Sequence, residues 1–250
     1  MRWRLIREAT GQTGAENMAY DAALLGESNV TGQAFLRLYH FDPPCLSVGR
    51  NEPADQYDQA AIARLGLDVV RRPTGGRAVW HQDEVTYAVA APIAVFGGLR
   101  NAYHAIHERL AAAIRSLGAH ATLGLHQPPP SSTLLHHPAS CFAIPAAGEV
   151  LVAGRKVIGS AQVREGRAFL QHGSILLDGT QDMITAVSRK PHAASNATTL
   201  AAVLGRRVTF HEVADAIIAA WGDAVTSTNL PQPPSTSTTC FSAPAWTWRR

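Results

Sequence analysis

The chain has 250 residues, of which 46% are hydrophobic and 16% are charged, a composition typical of a globular protein that builds its own core. Its formal net charge of +3 comes from scattered lysines and arginines without a polybasic run, which argues against nucleic-acid binding. The N-terminus lacks an apolar signal core, and no segment approaches the roughly 18–20 apolar residues that span a bilayer, so the sequence predicts a cytoplasmic protein without membrane contact.

The first third of the chain predicts helices and strands in alternation. Residues 14–26 place apolar side chains at helical spacing and end on a glycine, which predicts an amphipathic helix. Residues 34–40 and 45–49, separated by Asp-Pro-Pro, predict two strands joined by a turn. A helix over 55–65 and a strand over 67–71 follow.

The segment 71–81, RRPTGGRAVWH, joins this strand to a second one over 85–89. Its adjacent glycines follow a cationic pair and precede a β-rich segment. Glycines in such a loop let backbone amides approach a ligand closely. We therefore expect the glycine loop to form part of a ligand-binding site.

The second half begins with the clearest helix, over 100–117, where apolar residues follow a 3.6-residue period. The proline-rich segment 126–140 predicts a long loop. Residues 149–177 alternate and contain two glycine breaks, which predicts a three-stranded meander. Helices are expected over 196–204 and 211–221.

The end of the chain changes composition. Residues 226–239 are rich in Pro, Ser and Thr, which is typical of segments that cannot bury a core. The sequence therefore predicts one folded domain over residues 1–225 and a low-complexity, disordered tail over 226–250.

Polar residues alternate along the predicted meander. If a strand begins at Lys156, then Ser160 and Gln162 share its face, and pairing with the next strand would bring them near His172 and Ser174. A solvated outer face would show the same pattern. Glycines inside both strands favour a ligand-binding cleft, because glycine in a strand often marks close approach of a ligand or another backbone.

The cysteines Cys45, Cys141 and Cys240 are odd in number and lack metal-like spacing, and no histidine pair has the spacing of a helical metal site, so neither a disulfide framework nor a metal is expected. Cys141 follows the proline-rich loop and is a candidate nucleophile, although a free cysteine can also be a small buried hydrophobe. Cys45 fits that second interpretation better. Lys156 would lower the pKa of the Cys141 thiol and help accept a proton from an attacking amine.

Three segments resemble the superfamily of lipoate-protein ligases and octanoyltransferases: RRPTGGRAVWH at 71–81, GRKVIGSAQ at 154–162 and QHGSILL at 171–177. The resemblance runs from about Glu16 to about Asp178, about two thirds of the chain. It implies an α+β fold in which helices flank a mixed β-sheet, the class II synthetase-like fold of biotin and lipoate protein ligases.

Within this superfamily the chain resembles the cysteine-dependent octanoyltransferases, because Ser140-Cys141-Phe142 precedes the Lys156 hairpin. ATP-dependent ligases usually carry a third glycine where Arg77 stands. The resemblance implies that octanoyl on the phosphopantetheine of acyl carrier protein is the donor, and that a lysine of a lipoyl domain or glycine cleavage H protein is the acceptor. Neither ATP nor a metal is then expected as a cofactor.

The same resemblance implies the site residues. Cys141 and Lys156 would be catalytic, and the substrate would be bound by Arg71, Arg72, Thr74, Gly75, Gly76, Arg77, His81, Gly159, Ser160, Ala161, Gln162, His172 and Gly173. Two alternatives remain: an ATP-dependent lipoate or octanoate ligase in which Cys141 is incidental, and a non-catalytic protein that binds lipoyl domains or acyl groups.

Overall fold

The computed structural model describes residues 2–124, 142, 148–190, 195–222, 225–228 and 235–249. The strands are β1 (Trp3–Arg7), β2 (Ala34–Tyr39), β3 (Cys45–Val48), β4 (Asp68–Arg71), β5 (Val79–His81), β6 (Glu84–Pro92), β7 (Ala121–Leu123), β8 (Val150–Val152), β9 (Arg155–Lys156), β10 (Ile158–Glu165), β11 (Ala168–Leu176) and β12 (Val225–Ser227). The helices are α1 (Gly14–Thr31), α2 (Gln59–Arg64), α3 (Leu99–Ser116), α4 (Asp182–Ala186), α5 (Leu200–Leu204), α6 (Phe210–Trp221), α7 (Ser235–Ser242) and α8 (Pro244–Thr247).

A mixed six-stranded sheet forms the centre of the molecule, in the order β10-β11-β6-β2-β1-β12. Strand β1 pairs in parallel with β2 and β12, whereas β2, β6, β11 and β10 are antiparallel. Alternate side chains of β6 point to opposite faces, so Tyr87 and Val89 join the core with α3 and α6, while Ala88 and Ala90 join smaller clusters with α1. Both faces are therefore covered by helices, as the predicted fold class requires.

Helix α1 begins where the sequence predicts it and continues past the expected end at Gly26. Its first turn has a capping box, in which the Thr13 side chain accepts from the Glu16 amide and the Glu16 carboxylate accepts from the Thr13 amide. The helix ends instead at Gly32, which has a left-handed φ of 74°. Helix α3 confirms the predicted periodicity, with Ala102, Ile106 and Leu110 buried.

Two smaller sheets, β4-β3-β5 and β7-β8-β9, flank the central one. β2 and β3, predicted as two strands joined by a turn, lie in different sheets, and β3 pairs with β4 and β5. The predicted meander is also divided. β8 and β9 pair with each other beside β7, and the chain passes at Val157 into the central sheet, where β10 and β11 pair.

Other boundaries shift, and one prediction lies outside the described residues. The helix predicted over 55–65 is a short 3₁₀ turn, Ala54–Gln56, followed by α2, and the helix expected over 196–204 begins only at Leu200. The long loop predicted over 126–140 falls outside the part of the chain that the structure describes. None of the described helices has the length and apolar character needed to cross a bilayer.

The C-terminal segment differs from the disorder expected for it, since residues 235–249 include α7 and α8. Phe241 is buried against α1, in the cluster that contains Met18 and Leu25. Trp246 packs edge-on against Phe241 and donates from Nε1 to the carbonyl oxygen of Arg71 at 2.7 Å. Phe241 and Trp246 attach these short helices to the core. The prediction of disorder rested on the Ser/Thr-rich composition and did not take these two aromatic residues into account.

We predict that Phe241→Ala lowers the free energy of unfolding by about 3 kcal/mol, because it leaves a cavity between α7 and α1. Urea denaturation of the full-length protein measures this difference. Val30→Ala is the matched control, since Val30 is 72% exposed and should leave the stability almost unchanged. A Phe241 variant as stable as the Val30 variant would contradict the packing of α7.

Candidate active site

The glycine loop connects β4 to β5 and is held against the end of β3. The Arg50 amide donates to the carbonyl oxygen of Thr74 at 2.8 Å. A Cβ atom at Gly49 would overlap the carbonyl oxygen of Gly76, so this approach requires a glycine. Gly76 itself has a left-handed φ of 88°, whereas a Cβ at Gly75 would meet nothing within 4 Å. The loop is thus a fixed backbone element with one open side.

The two arginines that precede the loop have different roles. Arg72 donates to the carbonyl oxygens of Gly75, Arg77 and Ser47, and so holds the loop in its turn. Arg71 points the other way and donates to the carbonyl oxygens of residues 49, 52 and 247, which ties α8 to the loop after β3. Arg71 was predicted to bind substrate, but it stabilises the backbone and does not line the cavity. Its side chain and that of Arg72 point in opposite directions because successive residues of an extended chain face opposite sides.

Behind the loop, Asp21 organises a buried network. Its carboxylate accepts from Arg37 Nη1 at 2.8 Å, from Tyr39 Oη at 2.8 Å and from His172 Nδ1 at 2.7 Å. Since Nδ1 carries the proton, Nε2 of His172 accepts from the Thr74 hydroxyl at 2.6 Å. Helix α1 thereby fixes the glycine loop through the imidazole of β11.

The network sets the charges of both groups. Burial alone would raise the pKa of Asp21, but the hydrogen bond from His172 and the charge of Arg37 lower this pKa overall. Burial lowers the pKa of His172 more than the Asp21 carboxylate raises it. The arrangement is therefore a carboxylate held beside a neutral imidazole.

A second carboxylate and imidazole lie across the same space. Glu84 Oε1 accepts from His81 Nδ1 at 2.8 Å, and His81 Nε2 lies 2.8 Å from the hydroxyl of Ser47. The other oxygen of Glu84 accepts from Ser174. Phe41 stacks on the His81 ring, with centroids 4.0 Å apart and an interplanar angle of 27°. Among the described residues, no group of three or more His, Cys, Asp or Glu side chains is placed to hold a metal ion.

Between the glycine loop and the central sheet lies a narrow cavity of about 30 Å³. Apolar side chains form one part of its wall and the two histidine networks form another. It is lined by Met18, Tyr39, Phe41, Ser47, Arg72, Val79, His81, Thr86, Gly159, Ser160, Ala161, His172, Gly173 and Ser174. Seven of the predicted site residues therefore surround one space: Arg72, His81, Gly159, Ser160, Ala161, His172 and Gly173.

The cavity is bordered on β10 and β11 by residues with small side chains or none, Gly159, Ala161 and Gly173. A Cβ at Gly159 would lie 2.8 Å from the Phe142 ring, so the glycine lets this aromatic side chain pack against the strand. Phe142 also clusters with Val79, which lines the cavity. A Cβ at Gly76 would lie 3.8 Å from the Ala161 side chain, which places the glycine loop over β10.

Lys156 is buried at the end of β9, and its ammonium group is paired. Nζ donates to Glu149 Oε1 at 2.5 Å and lies 5.6 Å from the centre of the Phe142 ring. An ammonium held by a carboxylate is a hydrogen-bond donor, which suits stabilisation of an anion but not the expected acceptance of a proton. Cys141, its predicted catalytic partner, lies outside the described residues.

The other two cysteines fit the sequence interpretation. Cys45 is fully buried, and burial raises the pKa of its thiol well above the usual value, so the prediction of a small buried hydrophobe is confirmed. Cys240 is exposed on α7.

Ser160 and Gln162 point away from His172, which corrects the expected common face. In the antiparallel register Ser160 pairs with Gly173 and Ala161 pairs with His172, so the serine side chain faces α3. There its hydroxyl contacts Tyr87 Oη at 2.7 Å and His107 Nε2 at 2.8 Å. Gln162 donates to Gln171 on the same side and lies outside the cavity.

Sequence reasoning missed Asp21, Ser47, Glu84 and Glu149, the groups that orient or pair with the predicted residues. Three of these are carboxylates inside or beside apolar segments, for example Asp21 within the apolar stripe of α1. A charge at a position that the periodicity assigns to the core is a signal that it has a buried partner. The identity of that partner depends on tertiary contacts.

Comparison with known proteins gives consistent results. The sequence matches the family described as lipoyl protein ligase A/B catalytic domain over residues 13–222. It is 37% identical over 236 residues to Octanoyltransferase LipM of Moorella thermoacetica, which covers 88% of this chain and 85% of that protein. Octanoyltransferase LipM of Kyrpidia tusciae is 40% identical over 195 residues, 76% of this chain and 71% of that protein. The solved structure of lipoate-protein ligase A bound with ATP has a TM-score of 0.81 at 19% identity and covers 99% of both chains, which confirms the expected fold.

One pH-dependent property follows from His107. It lies between the Gly148 carbonyl, 2.6 Å from Nδ1, and Ser160, and burial lowers its pKa to about 4. The unfolded chain binds this proton near pH 6.5, so between about pH 6.5 and 4 the unfolded state holds more protons than the folded state. The free energy of unfolding therefore decreases as the pH is lowered through this window, by about 3 kcal/mol from this group.

We predict that His107→Gln removes most of this pH dependence, which urea denaturation at about pH 7 and pH 4 measures. His120→Gln, at an exposed histidine, should retain the wild-type dependence. If the His107 variant lost as much stability on acidification as the wild type, the assignment of a buried neutral imidazole would be contradicted.

Proposed function

The chain belongs to the lipoyl protein ligase A/B catalytic domain family, and from this premise we propose that it is an octanoyltransferase, an acyltransferase of lipoate biosynthesis. Its acceptor is a lysine of a lipoyl domain or of glycine cleavage H protein. The observation that carries the proposal is the 37% identity to Octanoyltransferase LipM over 88% of the chain. The narrow cavity between the glycine loop and the central sheet is the proposed entry for the acyl chain, because apolar side chains form part of its wall.

The proposed reaction has two steps. In the first, the Cys141 thiolate attacks the carbonyl carbon of the octanoyl thioester on acyl carrier protein. A new C–S bond forms, the bond to the phosphopantetheine sulfur breaks, and that sulfur leaves as a thiolate that takes a proton from water. In the second, the acceptor lysine forms an amide and releases the cysteine.

The proposed position of the thioester follows from Phe142. This residue directly follows Cys141 in the chain, and its ring packs on Gly159 and Val79, both of which line the cavity. The octanoyl chain would extend into the cavity against Met18, Phe41 and Val79. Backbone amides of Gly75 and Gly76 are the proposed donors to the oxyanion.

Lys156 is proposed to favour the thiolate form of Cys141. The proposal is supported by the position of its ammonium, 5.6 Å from the ring of Phe142, the residue that directly follows Cys141 in the chain. Glu149 holds the ammonium in place. Removing either partner would take away the counter-ion of the other, which is a buried charge.

No ATP is required, because the donor is already a thioester and amide formation from it is downhill. Arg77 stands in the glycine loop where the ATP-dependent relatives carry a further glycine, so its side chain would hinder close packing of an adenylate. The formal charge of +3 would speed encounters with the acidic carrier and acceptor proteins expected in such families. The exposed thiol of Cys240 fits a reducing compartment, and the reaction is accordingly assigned to the cytoplasm.

We predict that intact-mass analysis after incubation with octanoyl-acyl carrier protein, without ATP, shows one added octanoyl group on the wild-type chain. Cys141→Ala should show none and should not modify a lipoyl domain. Cys240→Ala is the matched control and should acylate like the wild type, since this thiol lies on α7, away from the cavity.

Three outcomes would contradict the proposal. Modification of the lipoyl domain by Cys141→Ala with ATP and free octanoate would indicate a ligase. Capture of the lipoyl domain without any acylation of the wild type would indicate a non-catalytic binding protein. Acylation of Cys141→Ala to the wild-type level would place the thioester on another residue.

A further inference from the structure

The second step needs a base, and Lys156 does not supply it. The side chain of a free lysine has a pKa near 10.4, so at about pH 7 only about one acceptor lysine in 2,500 carries the unprotonated amine that can attack. Lys156 is an ammonium donor to Glu149 at 2.5 Å, and an ammonium has no lone pair to accept another proton. Another group near the acyl chain has to take this proton.

His81 has the geometry of such a base. Its Nδ1 is bound to the Glu84 carboxylate, which only accepts hydrogen bonds, so Nδ1 carries a proton, and in the neutral imidazole the lone pair lies on Nε2. Nε2 is 2.8 Å from the Ser47 hydroxyl, which therefore donates to it. His81 and Ser47 both line the cavity, whereas Glu84 is buried behind them. Carboxylate, imidazole and hydroxyl thus form a connected proton path that ends at the acyl-binding space.

We propose that His81 is the general base of the second step, and that it receives the proton of the acceptor lysine through the hydroxyl of Ser47. This inference rests on the proposed octanoyl transfer. The ammonium gives one proton to Ser47 Oγ while Ser47 passes its own proton to His81 Nε2. The neutral amine then forms a C–N bond with the acyl carbon, the C–S bond breaks, and the second amine proton leaves with the sulfur as the Cys141 thiol.

Charges around His81 suit this role. Glu84 stabilises the imidazolium that forms, and Arg72, which donates to Ser47 Oγ at 3.1 Å, favours return of the proton. His172 faces His81 across the cavity and is kept neutral by burial, which lowers its pKa. Cys45 pairs with His81 across β3 and β5, and burial raises the pKa of its thiol, so it adds no charge. Near His81, the negative charge of Glu84 thus balances the positive charge of Arg72.

The surroundings also offer a cationic lysine a route to Ser47 and His81. A second, wider cavity shares Phe41 with the first, so the stacked rings of Phe41 and His81 form part of the wall between them. Among its described lining residues are the exposed carboxylates Asp42, Asp83 and Asp178, against a single arginine, Arg207. An ammonium group is attracted to such a mouth.

The test separates the two steps. Wild type, His81→Gln, Ser47→Ala and the exposed control His120→Gln are loaded from octanoyl-acyl carrier protein, and the isolated acyl-enzyme is mixed with a lipoyl domain or with hydroxylamine in a single-turnover experiment. Hydroxylamine is already unprotonated near neutral pH, so it needs no base. His81→Gln should slow loading much less than it slows transfer. Its transfer to the lipoyl domain should be slower by at least about 100-fold, while discharge by hydroxylamine stays at the wild-type rate.

The pH profile gives an independent readout, because the free-amine fraction of lysine rises about tenfold for each pH unit below its pKa. The deficit of His81→Gln should shrink accordingly as the pH is raised. Ser47→Ala keeps the pair of His81 and Glu84, so it provides the same comparison if His81→Gln does not fold. It should slow lysine transfer but not hydroxylamine discharge.

Each remaining outcome is decisive. If both variants transfer to lysine at the wild-type rate, or lose lysine and hydroxylamine reactivity equally without rescue at high pH, His81 is not the base. Failure of the wild type to form any acyl-enzyme would instead contradict the proposed function itself.

Discussion

The carboxylate of Asp21 is the interaction on which the site depends. It is fully buried and is satisfied by three donors from two strands of the central sheet: Arg37 and Tyr39 on β2 and His172 on β11. A buried carboxylate is stable only when such partners are present, so helix and strands are fixed relative to one another. Through His172 the constraint extends to Thr74 and the glycine loop.

The central sheet keeps two polar systems apart. On the face toward α1, His172 and Ser174 reach the cavity, while on the face toward α3, Ser160 binds Tyr87 and His107. His107 Nδ1 also binds the carbonyl oxygen of Gly148. Gly148 precedes Glu149, which pairs with Lys156. Because side chains alternate along β10 and β11, one face of this hairpin lines the cavity and the other face packs against Tyr87 and His107.

The family resemblance predicted the fold class, and the sequence predicted half of the residues that line the cavity, because many of these lie in the contiguous segments 159–161 and 172–173. Arg71 and Gln162 could not be placed correctly, since strand register and the neighbour across it decide which way a side chain points. Ser47 and Glu84 had no local motif and became site residues only when β3, β5 and β6 came together. The aromatic anchors of α7 and α8 were hidden by the composition around them.

The proposed mechanism has three parts: Lys156 would promote the nucleophile, the glycine loop and small strand residues would enclose the acyl chain, and His81 would take the proton of the acceptor. All three require that the acyl group lie between the glycine loop and the central sheet. A crystal structure of the octanoylated protein tests this most directly. It should show the acyl carbons against Met18, Phe41 and Val79; a chain bound instead in the acidic cavity beyond Phe41, or on the surface, would contradict the account.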